Sequence, residues 1–252
     1  MKLLRLTTSI DLRGSVPEEL RAPALVDSRL ATAIGEPVET AMYPIWPKER
    51  MDAVIGRWAR QVKPEIALVV ITPYWFAYES VPLKAGRAGG GLLRTPMRRL
   101  QRWGAHPRVV RSRVLWNIRN FALRSAGGSA FFEPEQVIEA VKSYLDVLAD
   151  GPGIVPAVYG LPRSDLDWGK PRRPGWARER RLTVYQAITE YCAERGIPHE
   201  TSDVELPDDE WLRYREADGV HINAAGHRRL ADHQLPLLLR AWELVKERRA
   251  QD

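Results

Sequence analysis

Each shortage in this chain excludes a class of protein. Among its 252 residues there is one cysteine, Cys192, which rules out an internal disulfide framework and a zinc site built on several thiolates. Long hydrophobic runs are missing too. The longest clean one is Ile66–Ile71, far below the roughly 20 residues that cross a bilayer as a helix, so no transmembrane segment is expected. The opening MKLLRLTTSIDLRG carries Arg5 inside its apolar stretch and Asp11 soon after. That leaves no secretory h-region of ordinary length, and a cytoplasmic chain is the expectation. The run Gly86-Arg87-Ala88-Gly89-Gly90-Gly91 lacks the Gly-Lys-Ser/Thr ending of a phosphate loop. His227 and His233 lie six and twelve residues past His221, a spacing that does not share a helix face. Neither a cofactor nor a metal is expected. Asparagine occurs only at Asn117, Asn120 and Asn223, a scarcity that matters for the chemistry below.

Acids are absent from Ser80 to Phe132, where eleven lysines and arginines stand. The whole chain is formally +6, so the remainder is net negative by five. Such a block either attracts an anionic partner or forms a solvated face whose arginines meet acids from elsewhere in the fold. Nucleic acid is not the partner expected, because the overall excess of positive charge is small. What is present in quantity is ordinary: 44% of residues are hydrophobic, and the length suits a single domain with a sizeable core.

Periodicity lays out an alternating order. Lys2–Thr8 reads as a first strand and Ser9–Pro23 as a loop. Ala24–Ile34 reads as a helix, Val38–Tyr43 as a strand and Lys48–Val62 as a helix. Ile66–Ile71 is a continuous run of the kind that is buried on both faces of a parallel sheet. Beyond the basic block, where Gly86–Gly91 reads as a flexible hinge and Arg108–Leu123 as helical, Pro134–Leu148 is an amphipathic helix. Gly153–Tyr159 is a strand and Ser164–Gly175 a loop. Trp176–Arg195 is a helix, Ile197–Thr201 a short strand and Ala224–Arg248 a long final helix. The alternation predicts an α/β fold over residues 1–252, a central parallel sheet of about five strands between helical layers. The basic block, at about 80–128, forms a mostly helical, cap-like insertion.

Open parallel sheets bind ligands beyond the carboxyl ends of their strands, and three features fall there. Asp218-Gly219-Val220-His221 precedes the last helix, with Asn223 as its N-cap. A carboxylate three residues before a histidine can turn back, hold one ring N–H and stabilise the imidazolium; the same spacing also suits a structural pair that pins the helix. Ser9 follows the first strand directly, where a hydroxyl can stand above the sheet edge. Thr72-Pro73-Tyr74-Trp75 follows the buried strand, and its aromatics either wall a substrate pocket or pack under the insertion. Cys192, among Ile188, Tyr191 and Ala193, reads as a buried, inert thiol.

Taken together, Asp218-Gly219-Val220-His221-Ile222-Asn223-Ala224-Ala225-Gly226-His227 resembles the last block of the SGNH (GDSL-type) hydrolases, and Leu3-Leu4-Arg5-Leu6-Thr7-Thr8-Ser9 resembles the strand that leads into their serine. The resemblance implies a flavodoxin-like three-layer fold. It also implies an acyl-enzyme mechanism with Ser9 as nucleophile, His221 as base and acid, and Asp218 as the orienting carboxylate. The substrate implied is a small ester or acylated molecule, with the basic insertion favouring an anionic one. The sequence departs from the family at its oxyanion donors. Thr7-Thr8-Ser9 stands for Gly-Asp-Ser, no glycine follows the second strand, and no asparagine follows the third. The replacements open to this chain are the Ser9 N–H, the hydroxyls of Tyr43 or Tyr74, with Trp75 beside them, and Asn117 or Asn120 reaching in from the insertion. The other reading is a binding protein on the same fold, catalytically impaired, that holds an anionic partner with its basic insertion.

Overall fold

The computed structural model describes residues 1–12, 16–78, 80–88, 95–96, 99, 114, 117–118, 121–122, 125, 127–161, 175–201, 210, 213–216 and 222–251. Five parallel strands form one sheet. They are β1 (Lys2–Thr7), β2 (Glu39–Pro44), β3 (Ile66–Ile71), β4 (Val155–Gly160) and β5 (His199–Glu200), in the order β2-β1-β3-β4-β5. Leu3 of β1 is level with Thr40 of β2 and Ile66 of β3, and Ile66 is level with Val155 of β4. All six residues of β3 are buried, as expected of a central strand covered on both faces.

The helices that do the covering are α1 (Ser9–Leu12), α2 (Ala22–Ile34), α3 (Met51–Val62), α4 (Val81–Ala88), α5 (Pro134–Ala149), α6 (Trp176–Glu194) and α7 (Ala224–Arg249). Right-handed crossovers decide which face each one takes. The chain leaves β1 toward β2 in one direction and then doubles back to β3 in the other, so α2 lies on one face and α3, α5 and α6 on the opposite face. α7, entering after β5, joins α2.

Side-chain alternation in the strands feeds two separate cores. Leu4, Leu6, Ala67, Val69 and Ile71 pack with Ile55, Val141, Tyr144, Leu145, Val184 and Ile188 under α3, α5 and α6. Leu3, Ile66, Leu68 and Val70 pack with Val26, Leu30, Leu230, Leu237, Leu238 and Trp242 under α2 and α7. The start of α5 is set locally: Glu133 and Gln136 form a reciprocal capping box, and Pro134 occupies the first turn.

Three elements differ from the sequence expectation. The stretch after β1 is not all loop, since it holds α1 and a 3-10 turn at Glu18–Leu20. α3 starts at Met51 rather than Lys48, because Arg50 sits in the left-handed region at φ 62° and ends helical continuity there. Gly86 lies within α4 rather than in a hinge, while residues 89–91 fall outside the described residues. The expected helix Arg108–Leu123 is described at 114, 117–118 and 121–122, which are helical; the loop Ser164–Gly175 is described only at Gly175.

Candidate active site

In this strand order the winding reverses at β1, and at such a switch point open α/β sheets bind ligands beyond the carboxyl ends of the strands. β1 ends at Thr7, Thr8 follows, and Ser9 is the first residue of α1. The Thr7 carbonyl accepts from the Ile45 N–H at 3.0 Å, which ties the end of β1 to the chain leaving β2. On the other flank, Thr72 caps the 3-10 turn Pro73–Trp75. Its hydroxyl accepts from the Tyr74 N–H at 3.3 Å, and its carbonyl accepts from the Trp75 N–H at 3.2 Å.

Aromatic rings from both flanks meet across the end of β1. Trp46, just past β2, and Tyr74, just past β3, are in edge contact at 6.3 Å. Phe131 joins them, 5.6 Å from Trp46 and 5.2 Å from Tyr74, and Tyr78 lies 4.7 Å from Tyr74. All four are half-buried. The group is braced from below: the Tyr144 hydroxyl donates to the Trp46 carbonyl at 2.8 Å, the Phe132 N–H to the Trp75 carbonyl at 3.0 Å, and the Arg180 guanidinium to the Phe132 carbonyl at 2.8 Å.

The residues singled out in the sequence meet different fates. Tyr74 belongs to this aromatic group. Its neighbour Trp75 is 1% exposed and packs in the core under α3, α5 and α6. Tyr43 stacks on Trp58 of α3 with ring centroids 4.4 Å apart. Asn117 is helical and exposed. Asn120, Asp218 and His221 lie outside the described residues.

The residues that immediately follow His221 are firmly held. Asn223 caps α7 as its position in the sequence predicts: its side-chain oxygen accepts from the Gly226 N–H at 3.0 Å. Its amide also donates to the carbonyls of Arg213 and Arg215 at 2.7 and 3.0 Å, and an antiparallel bridge joins Arg215 to Ile222. Gly226 is required by close approach, since a Cβ there would lie 2.4 Å from the Tyr214 carbonyl oxygen and 2.9 Å from Ile222 Cβ. At the other end of α7, Arg248 donates to the carbonyl of Ile154, the residue before β4, at 2.9 Å. The C-terminus of α7 is thus at the amino edge of the sheet and its N-terminus at the carboxyl edge, the edge where Ser9 lies.

Beneath that edge, on the α2/α7 face, is a polar cluster that the sequence reading did not single out. Arg5, in mid-β1, is 0% exposed and Asp11, in α1, is 2% exposed. The Arg5 Nε donates to Asp11 Oδ2 at 3.0 Å, the Thr7 hydroxyl donates to the same oxygen, and the Arg5 Nη2 donates to the Gln234 side-chain oxygen of α7. The available signal was a charge within an otherwise apolar strand, which must find a partner if buried. His227, in the first turn of α7, is 1% exposed and its Nδ1 accepts from the Ala22 N–H at 3.2 Å. Burial pushes its pKa below the ordinary 6.5, opposed by the nearby Asp11 carboxylate. Cys192 is buried, and burial pushes its thiol up to about 12, which suits an inert packing residue. Among the described residues no group of three or more His, Cys, Asp or Glu is placed to hold a metal ion, and no helix is long and apolar enough to cross a membrane.

No family model matches the chain, and no curated protein matches it in sequence. Solved structures do match across nearly its whole length. TesA superposes with a TM-score of 0.58 at 13% identity, covering 96% of this chain and 99% of that one. The esterase EstA from Pseudoalteromonas sp. gives 0.53 at 9% identity, with 96% and 98% covered. Axe2, an acetylxylan esterase from Geobacillus stearothermophilus, gives 0.51 at 13% identity, with 94% and 93% covered. At such identities the likeness speaks for architecture. The α/β sandwich with its 2-1-3-4-5 sheet is the fold of the SGNH (GDSL-type) hydrolases.

Proposed function

We propose that the chain is a serine-dependent ester hydrolase or acyltransferase. One observation carries this reading: Ser9 opens the turn at the carboxyl end of β1, and the N-terminus of α7, three residues past His221, comes to the same edge of the sheet. The Ser9 hydroxyl attacks the acyl carbon while its proton passes to the His221 imidazole, which Asp218 orients. The tetrahedral oxyanion collapses, the C–O bond to the alcohol breaks, and the leaving oxygen takes the proton back from His221. Water, or a second alcohol, then attacks the acyl-enzyme by the same route in reverse.

The Ser9 N–H is one donor to the oxyanion. The N–H groups of Tyr74, Trp75 and Phe76 are spent inside the turn after β3, on Thr72 and Pro73. With those three N–H groups engaged, a side chain such as the Tyr74 hydroxyl, from the aromatic group past β3, is our reading of the second donor. The rings of Trp46, Tyr74 and Phe131 would wall the non-reacting part of a small ester. The basic insertion would favour an anionic substrate.

The test is a fluorophosphonate probe together with short-chain nitrophenyl esters. The wild type should be labelled and should release nitrophenol, and Ser9→Ala should abolish both. An unlabelled wild type, or undiminished labelling of Ser9→Ala, overturns the reading. The internal use of the N–H groups after β3 favours a second reading, a binding protein with its catalysis eroded, since one missing oxyanion donor costs about 100-fold or more in rate. That reading expects no labelling and an affinity for anionic partners that falls steeply with salt.

A further inference from the structure

We propose that Asp11 is a positioning residue for Ser9: held by Arg5 and Thr7, and tied through Arg5 to Gln234, it fixes the α1 turn against both β1 and α7. The proposal rests on the reading of Ser9 as nucleophile. α1 has four residues, and a single helical turn has no cooperative stability of its own. Something outside it must set its geometry. Its backbone reaches back to the residue after the strand, through the Asp11 N–H to the Thr8 carbonyl at 3.3 Å.

Besides the Arg21 guanidinium, which donates to the Leu12 carbonyl at 3.3 Å, the Asp11 carboxylate restrains the turn from within it. Its partners stand four and two residues before Ser9, and Asp11 stands two after, so the hydrogen bonds close a seven-residue loop around Ser9. The planar guanidinium donates in fixed directions. One edge holds Asp11 and another holds Gln234, ten residues into the helix that follows His221. The α1 turn and α7, which follows His221 in the chain, are therefore referenced to the same buried group.

Stability is a poor explanation for this arrangement. Two charges buried this deeply gain little over a well-packed hydrocarbon pair, and the neighbouring side chains of β1 and β3 on the same face, Leu3, Ile66, Leu68 and Val70, are hydrocarbon. What the pair supplies in exchange is direction.

The experiment moves the carboxylate without removing it. Asp11→Ala/Gln234→Glu leaves Arg5 with an acid, but on α7 instead of α1. Asp11→Asn/Gln234→Glu does the same while keeping an acceptor on α1. Two rates are read for each: fluorophosphonate labelling of Ser9, and deuterium uptake of the peptide spanning residues 8–12. The alanine double should fold, label about 10- to 100-fold more slowly than wild type, and exchange faster in that peptide while the β3 peptide is unchanged. The asparagine double should stay within about threefold of wild type, since its α1 acceptor survives.

If both doubles behave alike, or if the alanine double labels and exchanges as wild type does, the proposal is overturned. Should the alanine double not fold, Thr7→Val decides: it keeps both charges and removes one of the two hydrogen bonds on Asp11. Slower labelling at an unchanged melting temperature upholds the proposal, and wild-type labelling overturns it. If the wild type itself is not labelled, the Ser9 reading falls, and the exchange measurement alone decides whether Asp11 holds the turn.

Discussion

The two faces of β1 are built on opposite principles. Toward α3, α5 and α6 the strand presents Leu4 and Leu6 to an apolar core that runs up into the aromatic group at the sheet edge. Toward α2 and α7 it presents Leu3, then Arg5 and Thr7, and the last two hold Asp11 and Gln234. One face derives its strength from area removed from water, which is insensitive to direction. The other spends burial on directional contacts around the turn that bears Ser9. Polar groups were placed in the core where a short turn had to be aimed.

The largest effect should come from breaking the polar face on one side. Arg5→Met leaves the Asp11 carboxylate buried without a counter-charge and should cost about 3–5 kcal/mol in denaturant unfolding. Arg5→Met/Asp11→Leu should recover most of that stability and still label Ser9 slowly. On the apolar face, Leu6→Ala should cost about 2–5 kcal/mol, with no second substitution able to restore it through charge. If the Arg5→Met/Asp11→Leu double remains as unstable as the single, the contrast between the faces is wrong.

A smaller loss is expected where α7 meets the chain before it. Gly226→Ala forces a methyl group onto the Tyr214 carbonyl and Ile222, an overpacking worth about 1–3 kcal/mol. Because Ile222 follows His221, Ser9 labelling should slow as well. Thermal melts alongside labelling rates check this, and an unshifted melt would contradict the close approach.

The polar face should also carry a pH dependence in the acid range. His227 has its pKa held below 6.5 by burial, with Asp11 and Glu216 pulling it up and Arg21 and Arg5 pushing it down. As pH falls below about 6.5 the unfolded chain takes up a proton that the folded chain resists, so stability falls toward acid and is fully present above that range. His227→Asn, which keeps an acceptor for the Ala22 N–H, should flatten the decline between about pH 7 and pH 5 in urea titrations. The smallest effect belongs to the apolar face. Cys192, its thiol pushed up to about 12, should resist iodoacetamide at about pH 8 in the native protein and react once guanidinium unfolds it, as intact mass would show.

Much of the architecture was legible because it is written in short-range patterns. Ile66–Ile71 is β3 to the residue, since a short, mostly β-branched apolar run after Pro64 suits a strand covered on both faces. Asn223 was recognisable as a cap because a cap bonds three residues ahead. α1 was not legible, because four residues carry no periodicity and its restraint comes from a neighbouring strand. Tyr74 and Trp75 could not be told apart by type. The 3-10 turn that carries them sends one ring to the sheet edge and buries the other.

Alternating apolar patterns by themselves determined the layered fold, the strand ends at which Ser9 and the last helix lie, and the buried, inert setting of Cys192. Only the tertiary structure decided that Arg5 would find Asp11 and Gln234, and that Gly226 must be bare because the Tyr214 carbonyl lies against it. The reason is physical. Periodicity records which side of an element faces away from water, whereas a directional contact depends on which two surfaces are pressed together, and Arg5 and Gln234 are 229 positions apart in the chain.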